Sequence, residues 1–289
     1  MEVVDLHLHS TASDGEATAE QVVRRAADAG VAAIALTDHD TVAGLAEAIS
    51  TGASAGVRVV AGCEFSVKAW WGELHLLGYC LPIDHPDLTD FLSIQLEGRI
   101  ARAEEIVRRL DRLGAHVSME SVRKFARGES VGRPHVARAL VEAAVVGSIN
   151  EAFDRYLSDD GPACVPKVLP QLETVTALVK RLGGVTSAAH LKERCTKKTL
   201  ARLLETGVDG VEVLHPSHDD ATVIRLDERS TALGLLKSGG SDWHGEGKAS
   251  DVRRQIGGLR VPGVWLDALE RLHRERVAGA VNVSLGRDG

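Results

Sequence analysis

The sequence has few aromatic residues, few cysteines and no long apolar run. Aromatic residues make up only 3% of its 289 residues, so a core must rest on Ala, Val, Leu and Ile. The four cysteines (Cys63, Cys80, Cys164 and Cys195) form no CxxC pair, which argues against a disulfide framework or a zinc ribbon and suits a reducing compartment. No run approaches the roughly eighteen apolar residues that span a bilayer, and no segment resembles a signal peptide. These absences predict a cytoplasmic protein without a membrane partner.

An excess of basic residues is also missing. The formal net charge is −7, whereas a protein that binds duplex DNA needs a basic face to replace the counterions of the phosphates. An acidic protein can still bind a small phosphorylated molecule if metals or a local group of Arg and Lys supply positive charge. We therefore expect a small phosphorylated substrate and no duplex DNA. The sequence indicates no oligomeric state.

Strand and helix patterns alternate along most of the chain. Apolar runs at 3–6, 31–36, 57–60, 65–67, 74–79, 184–188, 210–214 and 235–238 predict strands, with helices between many of them. A helix is predicted to begin near Thr18 and to end at Gly30, and Thr41 is a predicted cap of the next helix. Residues 87–160 have a purely helical pattern and are predicted to be an insert, with 1–86 and 161–289 as one strand–helix domain. The charged segment 266–276 is predicted to be a solvated helix without a catalytic role. The fold class is therefore α/β, with a largely parallel sheet or barrel.

Histidines and acidic residues recur at the predicted strand ends. Such ends converge on one rim of a βα barrel, so we expect these side chains to meet. One such histidine alone is more often a packed residue than a ligand, but the joint pattern favours a metal site. Mixed imidazole and carboxylate donors without cysteine suit Zn, Mn or Fe(II). A cluster of these metals can activate water and polarise a phosphoryl oxygen, which indicates hydrolytic phosphoryl transfer. The candidate residues are His7, His9, Asp14, His39, Glu64, His75, His190, Asp242 and His244.

Several motifs resemble those of the PHP (polymerase and histidinol phosphatase) family. They are DLHLHS at 5–10, SDG at 13–15, LTDHD at 36–40, GCEFS at 62–66, HLLGY at 75–79 and GSDWH at 240–244. The resemblance implies a distorted (β/α)7 barrel whose helical insert covers the active-site mouth. It implies a metal-dependent phosphoesterase that uses two or three divalent ions, with manganese first and zinc or iron as alternatives. The most similar group removes phosphate from 3′,5′-bisphosphonucleotides or trims short oligonucleotides from the 5′ end.

The same resemblance implies how the metals are divided among the ligands. One ion would be held by His7, His9, Glu64 and Asp242. Glu64 would bridge to a second ion on His75 and His190, and Asp14, His39 and His244 would hold a third. His39 and Asp242 are thereby implied in catalysis.

Further segments indicate substrate contacts. The run GRPHVAR at 132–138 resembles a family segment that contacts phosphate, which implies that Arg133 binds as a planar fork with His135 beside it, at a helix N-terminus suited to anions. In HPSH at 215–218, His218 is predicted to bind phosphate or to protonate the leaving group, a role that water can also fill. Asp40 either binds substrate, orients a ligand or caps a helix. The relatives have Ala-His-Pro where this chain has AHLKER at 189–194, so we expect Lys192 or Arg194 to replace an arginine found beyond that motif.

Three functions stay open at this point. The first is removal of phosphate from nucleotides or short oligonucleotides, as a phosphatase or a 5′-to-3′ exonuclease, since both use the same metal cluster. The second is hydrolysis of a sugar phosphate, histidinol phosphate or cyclic phosphodiester. The third is a non-catalytic binding module, which the complete set of candidate ligands argues against.

Overall fold

The computed structural model describes residues 2–126, 130–246 and 251–285. The strands are β1 Val3–Leu8, β2 Ala33–Leu36, β3 Arg58–Ala69, β4 Gly72–Tyr79, β5 Val185–Ala188, β6 Gly210–Leu214, β7 Leu236–Gly239 and β8 Val261–Pro262. The helices are α1 Ala19–Asp28, α2 Leu45–Ala55, α3 Pro86–Arg112, α4 Met119–Phe125, α5 Arg133–Glu142, α6 Ile149–Ala152, α7 Leu172–Arg181, α8 Lys197–Glu205, α9 Asp220–Leu233 and α10 Gly263–Leu285.

The strands form one sheet that is nearly closed into a barrel. Their order is β7-β6-β5-β4-β3-β2-β1-β8, and β8 is a short antiparallel addition at the edge of β1. The gap between the sheet ends is bridged beyond β7, where Asp242 N donates to His7 O (2.9 Å) and His9 N donates to Trp243 O (3.0 Å). The predicted α/β barrel is therefore confirmed. The sheet is less parallel than expected, because β4 runs antiparallel to both β3 and β5.

Apolar side chains fill the barrel below the rim. Leu6, Ala35, Leu77 and Tyr79 are all buried in one cluster, and the Tyr79 hydroxyl donates to Leu6 O at 3.0 Å across the barrel. This packing makes the barrel a solid support rather than a pore. Polar side chains are left to collect at one end, above the apolar layer.

Local signals explain the first helix but not the second. Thr18, near which this helix was expected to begin, caps α1 through a reciprocal pair of hydrogen bonds with Gln21. The cap predicted at Thr41 is wrong, because α2 begins later, at Leu45, and the Thr41 hydroxyl instead accepts from Ala43 N in the preceding turn.

The hairpin of β3 and β4 is longer than the sequence indicates. Separate strands were expected at 57–60 and 65–67, yet β3 is continuous because β4 pairs with it from Gly62 opposite Tyr79 to Ala69 opposite Gly72. The cross-strand hydrogen bonds of the hairpin hold the chain extended through Gly62, where the local pattern predicts a break.

Helices α3 to α6, together with a π-helical turn at Phe153–Leu157, have a hydrophobic cluster of their own. Two ion pairs join them to barrel loops: Arg99 with Asp40 after β2, and Arg138 with Glu16 after β1 (3.6 Å). The helices thus lie over the rim, while the boundaries of an insert domain at 87–160 stay a prediction.

The last helix, α10, is less solvated than expected. Leu266 and Leu269 are buried against the barrel, and Arg276 forms an ion pair with Asp209. Within the described ranges, no helix is both long and apolar enough to cross a membrane.

Candidate metal centre

The predicted ligands meet at one rim of the barrel. His7 lies in β1 and His9 directly after it, on the same face because strand side chains alternate. Glu64 and His75 lie inside β3 and β4, although the sequence placed Glu64 after a strand and His75 at the start of one. They still share a face, since Glu64 is opposite Leu77 and His75 is two residues away in that register.

Glu64 is at the centre of the cluster. It is 1% exposed, and imidazole nitrogens surround both of its carboxylate oxygens. Its Oε2 lies 3.1 to 3.2 Å from nitrogens of His7, His9 and His39, and its Oε1 lies 2.8 Å and 3.1 Å from nitrogens of His75 and His190. One carboxylate therefore touches every one of these imidazoles, as a bridging ligand would.

Two further carboxylates complete the cluster on either side of His9. Asp242 Oδ1 lies 3.2 Å from His9 Nε2, and Asp14 Oδ1 lies 3.3 Å from His244 Nε2. The donor atoms form sets in which all lie within 4.8 Å of one another. Two such sets are His7, His9, Glu64 and Asp242, and His9, Asp14, His39 and His244. These sets match two of the groupings that the resemblance implies, with His9 added to the second.

The donor atoms fit divalent cations. Buried polar atoms are normally hydrogen-bonded, yet several in this cluster make no hydrogen bond with any residue that the structure describes. They are His7 Nε2, both ring nitrogens of His9, Asp14 Oδ1, His39 Nδ1 and Glu64 Oε2. All point inward among nitrogen and oxygen donors with no sulfur, which is the donor chemistry of Mn, Zn or Fe(II).

The electrostatics of the cluster also favour cations. Burial alone would raise the pKa of Glu64, but His39 and His7 hold it well below its usual range. Burial alone would lower the pKa of His75, but Glu64 raises it to about 9. The pKa of His244 is likewise raised to about 10, against burial, by Asp14 and Asp242. The carboxylates thus stay ionised and draw protons onto His75 and His244, whereas burial holds the pKa of His39 well below its usual range.

The backbone around the cluster is strained. Asp40, His190 and Asp242 have φ angles of 50°, 32° and 49°, in the left-handed region that non-glycine residues rarely adopt. Gly240 permits a close approach, since a Cβ there would lie 2.4 Å from His7 N. The loop after β7 is therefore pressed against β1 at the ligands.

Glu212 is a site residue that the sequence interpretation missed. It lies fully buried in β6, where its Oε1 accepts a hydrogen bond from His7 Nδ1 (2.9 Å) and its Oε2 accepts one from His190 N (2.8 Å). Such a carboxylate orients the imidazole of a ligand and raises its basicity. A glutamate between apolar residues of a predicted barrel strand was the signal available, because a buried charge requires a partner.

A cavity of about 260 Å³ separates the cluster from the helices above it. Asp14, His39 and His75 line its floor, and Phe153 lines its wall. The predicted Arg133 lies on the same wall, where Nη1 donates to Leu157 O (2.9 Å) and Asp159 Oδ1 (2.7 Å). Three cations that were not predicted also line the cavity, Arg99, Arg102 and Lys167, and so does Glu73, which pairs with Lys167.

The remaining predicted substrate residues lie at different depths. His135 is fully buried and its Nδ1 accepts from Gly132 N (3.0 Å). Asp40 is neither a helix cap nor free, because it accepts from Ser66 N and from Arg99. Lys192 is exposed, whereas Arg194 lines a smaller cavity with His75 and His190.

The surroundings of His218 argue against its predicted role as a proton donor. Its Nδ1 donates to Val213 O (3.0 Å), and its Nε2 accepts from Lys192 N (3.2 Å). Burial lowers its pKa. Both nitrogens of this neutral ring are thus used to hold the loop after β5.

The PHP domain model matches residues 5–159, more than half of the chain. The chain belongs to the PHP family. A 5′-3′ exoribonuclease of Escherichia coli is 31% identical over 91% of this PHP chain and 92% of its own length. A 3′,5′-nucleoside bisphosphate phosphatase of Chromobacterium violaceum is 32% identical over 85% of this chain and 88% of its own length. A phosphoribosyl 1,2-cyclic phosphate 1,2-diphosphodiesterase of Eggerthella lenta is 33% identical over 90% of this chain and 99% of its own length.

Two solved structures have the same fold as this chain. A putative metal-dependent phosphoesterase from Bifidobacterium adolescentis superposes with a TM-score of 0.85 at 27% identity, covering 94% of this chain and 96% of that one. A Chromobacterium violaceum protein described as an amidohydrolase with bound sulfate superposes with a TM-score of 0.81 at 28% identity, covering 93% of this chain and 96% of that one. The prediction of a metal-dependent phosphoesterase is confirmed at this level.

Proposed function

We propose that this enzyme removes phosphate from 3′,5′-bisphosphonucleotides or releases nucleotides from the 5′ end of short oligonucleotides. One observation carries the proposal: the cavity beside the metal ligands is lined by four cationic side chains, Arg99, Arg102, Arg133 and Lys167. A substrate with one phosphate at the metals and a second anionic group nearby suits this lining. The names of the Escherichia coli and Chromobacterium violaceum relatives support this class of substrate.

We propose two or three divalent ions as cofactors, with manganese first and zinc or iron as alternatives. The ligands would be His7, His9, Asp14, His39, Glu64, His75, His190, Asp242 and His244. Bound metals supply an activated water and neutralise charge on the phosphoryl oxygens. His39 and Asp242 then act in catalysis as ligands, and Glu212 keeps His7 oriented.

The protein's own side chains would position the substrate. The free edge of Arg133 would bind the second phosphate, with charge-assisted hydrogen bonds. Phe153 offers a ring for a base. Asp40 holds Arg99 in place instead of touching substrate. With His218 held by backbone groups, the leaving oxygen would take its proton from water.

We also propose a cytoplasmic location and a small phosphorylated partner. The four cysteines are all unpaired, which supports the reducing cytoplasm as the location. The charge of −7 supports a small phosphorylated partner over duplex DNA.

The test is phosphate or nucleotide release by the manganese-loaded protein from a panel of esters. The panel holds a 3′,5′-bisphosphonucleotide, a 5′-mononucleotide, a 5′-phosphorylated dinucleotide, histidinol phosphate and a cyclic phosphodiester. We expect preference for nucleotides with a second phosphate. Arg133→Gln should raise KM for these and leave the mononucleotide unchanged, whereas Arg155→Gln, which removes an exposed arginine of the same region, should change neither. Equal rates on all esters would contradict the proposal.

A cyclic phosphodiester is the second candidate substrate. The Eggerthella lenta diphosphodiesterase aligns over 99% of its length, and its name supports a cyclic ester as substrate. Preference for that member of the panel would select this candidate. No release from any ester by metal-loaded protein would favour a binding module.

A further inference from the structure

A shallow groove continues the cavity along helix α3. It shares Arg99, Arg102 and Lys167 with the cavity, and its outer part is formed by Gln95, Gly98 and Val168. The cavity and the groove thus form one continuous surface that leads from the metal ligands to solvent, with cations at the junction.

Arg102 at this junction has an unused charge. Its Nε donates to Val165 O (2.6 Å), and it forms no ion pair with any carboxylate in the described part of the chain. Arg99 and Arg133 lie close enough to act on it, and burial followed by Arg133 lowers its pKa. Like charges brought together in this way repel one another, and a bound anion relieves the repulsion.

Gly98 leaves the middle of α3 bare. A glycine inside a helix is unfavourable relative to alanine, and a close neighbour usually explains it. Here no described protein atom lies within 4 Å of the position that a Cβ would occupy, and the residue faces the groove. The space above Gly98 is therefore open to a ligand.

Val168 faces the same space from a segment that is held firmly. Its exposed fraction is 95%. On one side Lys167 pairs with Glu73, and on the other Lys68 N donates to Pro170 O at 2.8 Å. An apolar side chain fixed in solvent, in a groove that also holds the unpaired Arg102, suits a flat apolar group attached to a phosphate.

We propose that this groove binds the nucleotide on the 3′ side of the one held in the cavity. Its base would lie over Gly98 against Val168, and its 3′ phosphate would bind Arg102 and Lys167, since its 5′ phosphate is the scissile one at the metal ligands. The proposal rests on the proposed function and adds a specificity site for chain length. It follows from charge complementarity and from the continuity of the groove with the cavity.

The test is Gly98→Leu, which fills the groove and favours the helix. The matched control is Gly279→Leu in α10, where an added Cβ would also have no described atom within 4 Å. Binding is measured by fluorescence polarisation with a 3′-labelled, 5′-phosphorylated trinucleotide whose phosphorothioate linkages resist hydrolysis. Turnover of a 3′,5′-bisphosphonucleotide is measured in parallel.

We expect Gly98→Leu to bind the trinucleotide about tenfold more weakly, the order of one base contact, with bisphosphonucleotide turnover and control binding unchanged. Trinucleotide affinity within twofold of the wild type in Gly98→Leu would overturn the proposal. So would wild-type protein that binds the trinucleotide no better than a mononucleotide. Failure of the proposed function appears separately, as wild-type protein that hydrolyses no nucleotide.

Discussion

Replacing Glu212 with glutamine is expected to weaken metal binding while the barrel stays folded. Glutamine has nearly the same size and can still accept one of the two hydrogen bonds that Glu212 accepts, from His7 Nδ1 at 2.9 Å and His190 N at 2.8 Å. It lacks the negative charge that increases the basicity of the His7 ring. Loss of such a partner lowers metal affinity by about 10- to 100-fold, or about 1.4 to 2.8 kcal/mol.

The assay is manganese retained by Glu212→Gln after equilibrium dialysis against graded chelator, with activity recorded against manganese concentration. Asp209→Asn is the control, because Asp209 lies just before β6, far from the rim, and pairs with Arg276. The control should lose stability and keep its metal affinity. The reasoning is refuted if Glu212→Gln binds manganese within twofold of the wild type, or if both variants lose affinity equally.

Three further predictions concern packing and pH. Gly240→Ala should abolish manganese binding, because the added Cβ would lie 2.4 Å from His7 N. Equilibrium dialysis measures the bound manganese, and retained binding would contradict this prediction. Metal binding at pH 8 should release protons, because His75 and His244 have pKa values of about 9 and 10 in the metal-free protein. Titration calorimetry should therefore give different heats of metal binding in two buffers of different ionisation enthalpy. Burial lowers the pKa of His135 from 6.5 to about 4, so between these pH values the unfolded chain binds more protons than the folded one. The free energy of unfolding should therefore fall by about 3 kcal/mol as the pH drops through this range. Denaturant unfolding of His135→Gln should show a smaller fall.

Local patterns predict the parts of the molecule that depend on neighbours in sequence. The apolar run at 210–214 predicts β6 with the bounds that the structure shows, Gly210–Leu214. His7 and His9 are recognisable because two residues along a strand place both rings on one face. Their meeting with Asp242 also follows, since barrel strand ends converge.

Features that depend on distant partners were not predictable in the same way. Arg99 resembles the other arginines of α3, and only the fold brings it against Asp40, 59 residues away. His218 carries the residue type of a proton donor, but its two backbone partners are set by loop geometry. Gly62 indicates a strand break until the pairing with β4 is known.

The seam that closes the barrel has a consequence for synthesis of the chain. Ser241 N donates to Asp5 Oδ1 across 236 residues, and the neighbouring contacts of His7 with Asp242 use the same loop. A ribosome must therefore release the chain past Asp242 before the first histidines meet this carboxylate. A nascent chain has only part of the donor set, so a metal site that needs Asp242 can be completed only as a late step of maturation.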